Sequence, residues 1–171
     1  MKHLLLIFCL TCVFSCGSST SENSKGDSDE PSSSAENLKP GASQAEIDQV
    51  LINDYITRKK LKTKKLKSGL HYVLLEEGGA EKPHLRSLVV AHYTGKLLNG
   101  KEFDSSRKKP DPFKFRLNGV VDGWKEGIPL MGRGGKGTLI IPSGMAYGAR
   151  KVGSIPPNSV LVFDIEIFDF Q

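Results

Sequence analysis

Gly132-Arg133-Gly134-Gly135-Lys136-Gly137 has the G-x-G-x-x-G spacing that cradles a pyrophosphate when it leads from a strand into a helix. Here the flanking pattern runs helix, turn, strand, so no helix N-terminus faces a phosphate. A P-loop fails too, because Lys136 is followed by Gly137 and not by Ser or Thr. No G-x-S-x-G elbow offers a serine nucleophile. Cys9, Cys12 and Cys16 all precede the body of the chain, which excludes a cysteine nucleophile, a disulfide framework and a Cys-based zinc site there. His71, His84 and His92 lack metal-ligand spacing, and His92, inside a strand pattern, reads as structural. No two acids are placed for glycoside chemistry. Neither a metal nor a cofactor is expected. What the body does hold is aromatics beside glycine turns: His92-Tyr93-Thr94-Gly95, Phe103-Asp104-Ser105-Ser106, Pro112-Phe113-Lys114-Phe115, Val120-Val121-Asp122-Gly123-Trp124, Ala146-Tyr147-Gly148 and Val162-Phe163-Asp164. Each aromatic alone reads as core packing. Together they supply apolar area with a few polar atoms, the composition of a binding pocket.

The elements that must position them are mostly strands. Residues 70–75 and 88–94 are strand candidates, the second broken at Gly95. Residues 96–98 and 101–103 flank Asn99-Gly100, a strong hairpin signal. Residues 113–117 alternate up to Asn118-Gly119. Trp124, Ile128 and Met131 share one helical face, which predicts a short helix over 123–131. Residues 138–141 are strand-like and stop at Pro142. From Leu161 to Phe168, Leu161, Phe163, Ile165 and Ile167 alternate with their neighbours at a period of two. The pattern predicts an α+β body of antiparallel strands wrapped on one short helix.

The rest of the chain is a sequence of appendages. It has 171 residues, 38% hydrophobic and 25% charged, enough for one domain and a tail. Met1-Lys2-His3, an apolar run over residues 4–14 and the small residues that follow have the three parts of a secretory signal. Val13-Phe14-Ser15-Cys16 resembles the lipobox of bacterial lipoproteins, in which cleavage before the cysteine is followed by its acylation. That resemblance implies a signal peptide over 1–15 and a lipid on Cys16; an ordinary secretory signal is the alternative. Residues 16–44 are the acylated cysteine and a polar leash, too poor in apolar side chains to order. Residues 45–67 are a helical arm with a basic linker. Ile47, Val50, Leu51 and Tyr55 recur at helical spacing, and Ser43 with Glu46 makes a capping box. The helix is expected over 45–62, either packed on the body or paired with a second copy. Removing Arg58, Lys59, Lys60, Lys62, Lys64, Lys65 and Lys67 from the 24 basic residues leaves fewer than the 19 acidic ones. The positive charge is therefore local and reads as a solvated linker, then an anionic surface; no nucleic-acid partner is expected.

From about Ser68 to Gln171 the chain resembles the FKBP-type peptidyl-prolyl isomerases, the macrolide-binding immunophilins. The aromatic segments above, Gly123-Trp124-Lys125-Glu126-Gly127 and Ile155-Pro156-Pro157-Asn158 stand in that family's order. The resemblance implies a five- to six-stranded antiparallel sheet curled around the short helix, and an isomerase domain over 68–171. It implies that Trp124 is the floor of an apolar pocket and that Tyr93, Phe113, Val120, Val121, Ile155 and Phe163 form its walls. Phe103 and Asp104 would stand at one side. Tyr147 would offer its hydroxyl to a substrate carbonyl, and the Ile155 N–H a second hydrogen bond. Of these, Tyr93, Phe103, Asp104, Tyr147 and Phe163 are the expected catalytic set. Met145 departs from the tyrosine common two residues before Tyr147, and Arg150-Lys151-Val152 replaces a frequent histidine-proline pair, so the rim differs. Proline-containing polypeptides and macrolides are the implied ligands, and the implied setting is the bacterial envelope. A proline-binding module without turnover, or a scaffold built on the arm, is the alternative. Exported relatives dimerise through longer arms, and the short arm here points to a monomer.

Overall fold

A computed structural model describes residues 40–171 of the chain. The expected signal peptide, Cys16 and the expected leash as far as residue 39 lie outside the described residues. The described elements are α1 (Gln44–Arg58), β1 (Lys64–Lys65), β2 (His71–Glu76), β3 (Leu88–Leu97), β4 (Glu102–Ser105), β5 (Phe113–Arg116), α2 (Asp122–Gly127), β6 (Lys136–Ile141) and β7 (Leu161–Phe170).

All strands join one antiparallel sheet in the order β1-β2-β6-β7-β3-β4, with β5 on the first half of β3. It has seven strands where five or six were expected, because two short edge pieces extend it. The period of two in β7 sorts the faces. Leu161, Phe163, Ile165 and Ile167 turn inward, where β6 adds Leu139 and Ile141 and β3 adds Ala91 and Tyr93. The outer face carries cross-strand polar pairs, among them Lys96–Asp164 at 3.0 Å and Thr138 Oγ1 donating to Asp164 at 2.8 Å.

Helix α2 lies on the inner face, and two glycines one turn apart let it sit flush. A Cβ on Gly123 would come 2.4 Å from Ile141, and one on Gly127 2.4 Å from Leu139. The α-helix is shorter than 123–131. Pro129 lacks the N–H that would continue it, and a 3₁₀ turn over Ile128–Leu130 takes over.

Helix α1 covers the opposite face where β6 ends and β7 begins. Its Ile52 is fully buried against Ile140, Val160 and Val162. The arm's apolar face thus packs on the body through Ile52, the first of the two expected arrangements. Its N-terminus has the expected capping box: Ser43 N–H donates to Glu46 at 2.8 Å and the Ser43 side chain accepts from the Glu46 N–H. The Ser43 hydroxyl, donating to the Glu46 carboxylate at 2.7 Å, and then the Ser43 N–H hold that carboxyl below its usual range. The helix stops at Arg58, short of residue 62. Lys60 turns left-handed (φ 52°), the Leu61 N–H bonds Ile56 O at 3.0 Å and the Lys60 N–H bonds Thr57 O at 3.2 Å. That is a Schellman ending, and Leu61 and Ile56 both pack against the Ile52 cluster beneath the helix. The basic linker is likewise not wholly irregular, since Lys64 and Lys65 pair with Tyr72 and His71 as β1.

His71, 6% exposed, ties these pieces together. Nδ1 lies 3.1 Å from Thr63 Oγ1, and Nε2 lies 3.3 Å from Gln49 Oε1 on α1. A neutral ring protonated at Nε2 satisfies both contacts. Burial first, and the charge of Lys65 second, depress its pKa below 6.5. The neutral ring therefore contributes stability that is complete above the unfolded value and is lost as pH falls through the folded one. Urea midpoints measured at about pH 7.5 and about pH 5 should fall further for the native chain than for His71→Gln. Equal falls would show that this ring does not couple to folding.

Candidate active site

One cavity of about 320 Å³ opens between the inner face of the sheet and α2. Trp124, 4% exposed, projects into it from the first turn of α2. Tyr93 from β3 and Phe163 from β7 stand edge-on to the indole, with ring centroids at 5.1 Å each. Phe115 braces it from behind at 5.0 Å. Phe103 from β4 meets Phe163 edge-on at 5.6 Å, and Phe113 from β5 meets Tyr93 at 5.7 Å. Val120 and Val121, just before α2, and Tyr147 complete the lining with Asp104 and Gly119.

Gly95, read from sequence as the end of a strand, is instead what lets two walls meet. The strand runs on through it to Leu97, and a Cβ there would fall 2.6 Å from Phe103 and 2.8 Å from Phe163. The residue is an alanine-sized gap that the two rings fill.

The polar atoms are few. Tyr93 donates its hydroxyl to Asp104 Oδ2 at 2.5 Å across the β3–β4 hairpin. Burial, then the bond to Asp104, then its charge and the nearby Tyr147 push the Tyr93 phenol well above its ordinary value. It stays a donor throughout the physiological range and holds the exposed carboxylate of Asp104 at the cavity edge. Tyr147 is half-buried, and its hydroxyl is bonded to no other described residue. The Trp124 Nε1 proton is buried without a partner among the described residues. A bound carbonyl thus finds a free phenol at the rim and an apolar floor beneath it.

All but one of the residues expected at the pocket line this cavity; Ile155 does not. It is buried in the adjoining core, and its N–H is given to Val152 O at 2.9 Å in a tight turn. The second substrate donor expected there is occupied in this form. Gly119 is the lining residue that sequence reading passed over, although its Asn118-Gly119 turn was visible as a strand stop. A wider concavity of about 1020 Å³ shares Tyr93, Asp104 and Phe113 and continues over the loop with Lys109 and Pro110 to Lys114 of β5. The opening is therefore an extended groove with one deep apolar slot.

A family model described as FKBP-type peptidyl-prolyl cis-trans isomerase matches residues 79–168. The FkpA isomerase of Escherichia coli K12 is 47% identical over 104 residues, which are 61% of this chain and 38% of that protein. The FkpA of Aeromonas hydrophila is 46% identical over 113 residues, 66% of this chain and 42% of its own. This chain thus spans less than half the length of either relative. Among solved structures, the crystal structure of Escherichia coli FkpA matches with a TM-score of 0.66 at 43% identity, over 70% of this chain and 57% of that one. A peptidyl-prolyl isomerase from Pseudomonas syringae matches with a TM-score of 0.63 at 32% identity, over 77% and 99%. With the matched residues spanning the cavity from β3 to β7, the chain belongs to the FKBP-type peptidyl-prolyl cis-trans isomerase family.

Proposed function

We propose that this chain catalyses cis–trans rotation about X–Pro bonds in polypeptides of the bacterial envelope. The observation that carries the reading is the slot itself: an aromatic floor and walls, one unbonded phenol at the rim, and a polar pair already satisfied.

Rotation about a peptide bond meets a barrier of ~18–20 kcal/mol set by amide resonance. X–Pro bonds populate both isomers and exchange over tens to hundreds of seconds. No covalent bond breaks, so no nucleophile is required. The planar amide is the more charge-separated form, and an apolar slot disfavours it relative to the twisted transition state. A hydrogen bond that strengthens on twisting adds differential binding, the kind that raises the rate. In this reading the proline ring lies over Trp124, and Tyr147 donates to the substrate carbonyl. Asp104, pinned by Tyr93, faces the rotating bond, and Phe103 and Phe163 exclude water. A macrolide of matching shape would occupy the same slot, and its affinity would reflect Met145 and Lys151, which stand in sequence where the family more often has other residues.

Exchange NMR on a short X–Pro peptide tests this. The chain should accelerate exchange clearly, and Tyr147→Phe and Asp104→Ala should each lose about tenfold in kcat/KM, one lost hydrogen bond's worth. A folded chain that binds the peptide without accelerating exchange would make it a proline-peptide binding module.

The layout proposed with this activity is a signal peptide over 1–15, a lipid anchor on Cys16, a leash to 44, the arm to 67 and the isomerase domain over 68–171. Its support is the Val13-Phe14-Ser15-Cys16 stretch. Among the described residues no helix is long and apolar enough to cross a membrane. Several acyl chains at ~0.8 kcal/mol per buried CH₂ would hold the protein on a bilayer. Cys16→Ser should move it from the membrane fraction to the soluble one, and retention in the membrane would overturn the anchor.

A further inference from the structure

Asp48 sits in the second turn of α1, one turn before Ile52 and on the same face, and only 1% of it is exposed. A carboxylate is rarely buried so completely without a cation. Its bonds here are to neutral donors. Gln44 Nε2 donates to Oδ1 at 2.8 Å. Ser143 donates twice to Oδ2, from its backbone N–H at 2.7 Å and from its hydroxyl at 2.7 Å.

Ser143 is fully buried and opens the 3₁₀ turn that follows β6. Its carbonyl accepts the N–H of Ala146 at 3.0 Å and of Gly148 at 2.9 Å, the two residues that flank Tyr147. On the far side, the Asn158 N–H closes onto Gly148 O at 2.7 Å. The backbone around Tyr147 is therefore suspended from Ser143, and Ser143 is suspended from Asp48. Removing the carboxylate leaves two buried donors unpaired, and the nearest relief is for the turn to move.

We propose that Asp48 is a positioning residue for the isomerase reaction: from α1, outside the domain that holds the pocket, it sets where the Tyr147 hydroxyl stands. This rests on the reading above that Tyr147 bonds the substrate carbonyl. It makes the appended helix part of the active-site apparatus. Charge-assisted bonds such as these are roughly twice as strong as neutral ones, which suits a buried carboxylate to holding a turn still.

A double-mutant cycle in the full chain tests it. Asp48→Ala should lower kcat/KM for a short X–Pro peptide by about fivefold, less than Tyr147→Phe alone. In the Tyr147→Phe background the same change should cost less than about twofold, because the group it positions is gone. Asp48→Asn should restore most of the activity. Its carbonyl can face Ser143 while its amide donates to a rotated Gln44. Equal losses in both backgrounds, or no loss in either, would overturn the proposal and leave Asp48 a structural residue. A Tyr147→Phe rate equal to the native one would remove the site reading, and this proposal with it. Should Asp48→Ala not fold, Ser143→Ala, which deletes one donor and keeps the N–H, carries the same cycle with a smaller effect.

Discussion

Replacing Trp124 with alanine is expected to cost ~3–5 kcal/mol of stability and about a hundredfold in kcat/KM. The indole touches Tyr93, Phe115 and Phe163 at once, so its loss leaves a void that three rings from three strands cannot close together. The void lies where the proline ring would rest. It would be larger and wetter than the native slot, and so less able to disfavour the planar amide. Because Trp124 is the only tryptophan, the unfolding of the variant has to be followed by far-UV circular dichroism in urea. Trp124→Phe serves as the comparison: it keeps an aromatic floor and should lose less than half as much stability. It also deletes the buried Nε1 proton that has no partner among the described residues, which offsets part of that loss. An alanine variant that unfolds within about 1 kcal/mol of the native chain and keeps its rate would show that the indole is not the floor.

Gly132→Ala is expected to destabilise by about 3 kcal/mol or more, although the residue is far from the chemistry. A Cβ there would fall 2.0 Å from the carbonyl oxygen of Gly79 and 2.7 Å from that of Glu81. Both are backbone atoms, so no rotamer change relieves the overlap. The 78–81 loop and the turn before β6 would have to part, breaking the bonds from Gly132 N–H to Glu77 O and from Gly79 N–H to Arg133 O, each 2.9 Å. Gly134, two residues on, gives the contrast. It is left-handed (φ +76°), yet nothing lies within 4 Å of its would-be Cβ. Gly134→Ala should therefore cost only about 1–2 kcal/mol, the strain of that conformation. Chemical denaturation of the two variants separates contact from conformation. A smaller loss at position 132 than at 134 would contradict the packing described. The glycine run with a dinucleotide-like spacing thus has a plain role: it lets two backbone segments touch.

Around the cavity, the close approaches share this logic. Gly95 makes room for Phe103 and Phe163, and Gly123 and Gly127 bring α2 onto Ile141 and Leu139. The slot is narrow because missing side chains let large ones converge.

Local patterns in the sequence were enough to reveal several elements. The alternation from Leu161 onward is β7, Asn99-Gly100 closes the β3–β4 hairpin, and Ser43 with Glu46 starts α1. Each is a signal written within a few residues, where turn chemistry or a period of two acts directly on the backbone. The aromatic inventory of the pocket was legible too, through the order of the segments that carry it. Other features depend on what the chain meets far away. Gly95 looks like a strand breaker until Phe103 and Phe163 occupy its vacant side. Lys60 adopts a positive φ that its type disfavours, because the Leu61 N–H turns back to Ile56 O and the Leu61 side chain packs on the cluster around Ile52. The Ile155 N–H turns back to Val152, and β1 forms only because β2 offers it an edge. Least legible is the link from Asp48 to Ser143, 95 residues apart. An acid at helical spacing reads as solvated surface unless tertiary packing buries it, and burial is what turns it into a fixed acceptor. Period, capping and turn chemistry act over a few residues and can be read along the chain. Close contacts and buried partners are set by which faces meet, and the meeting is decided only when the whole sheet closes on its two helices.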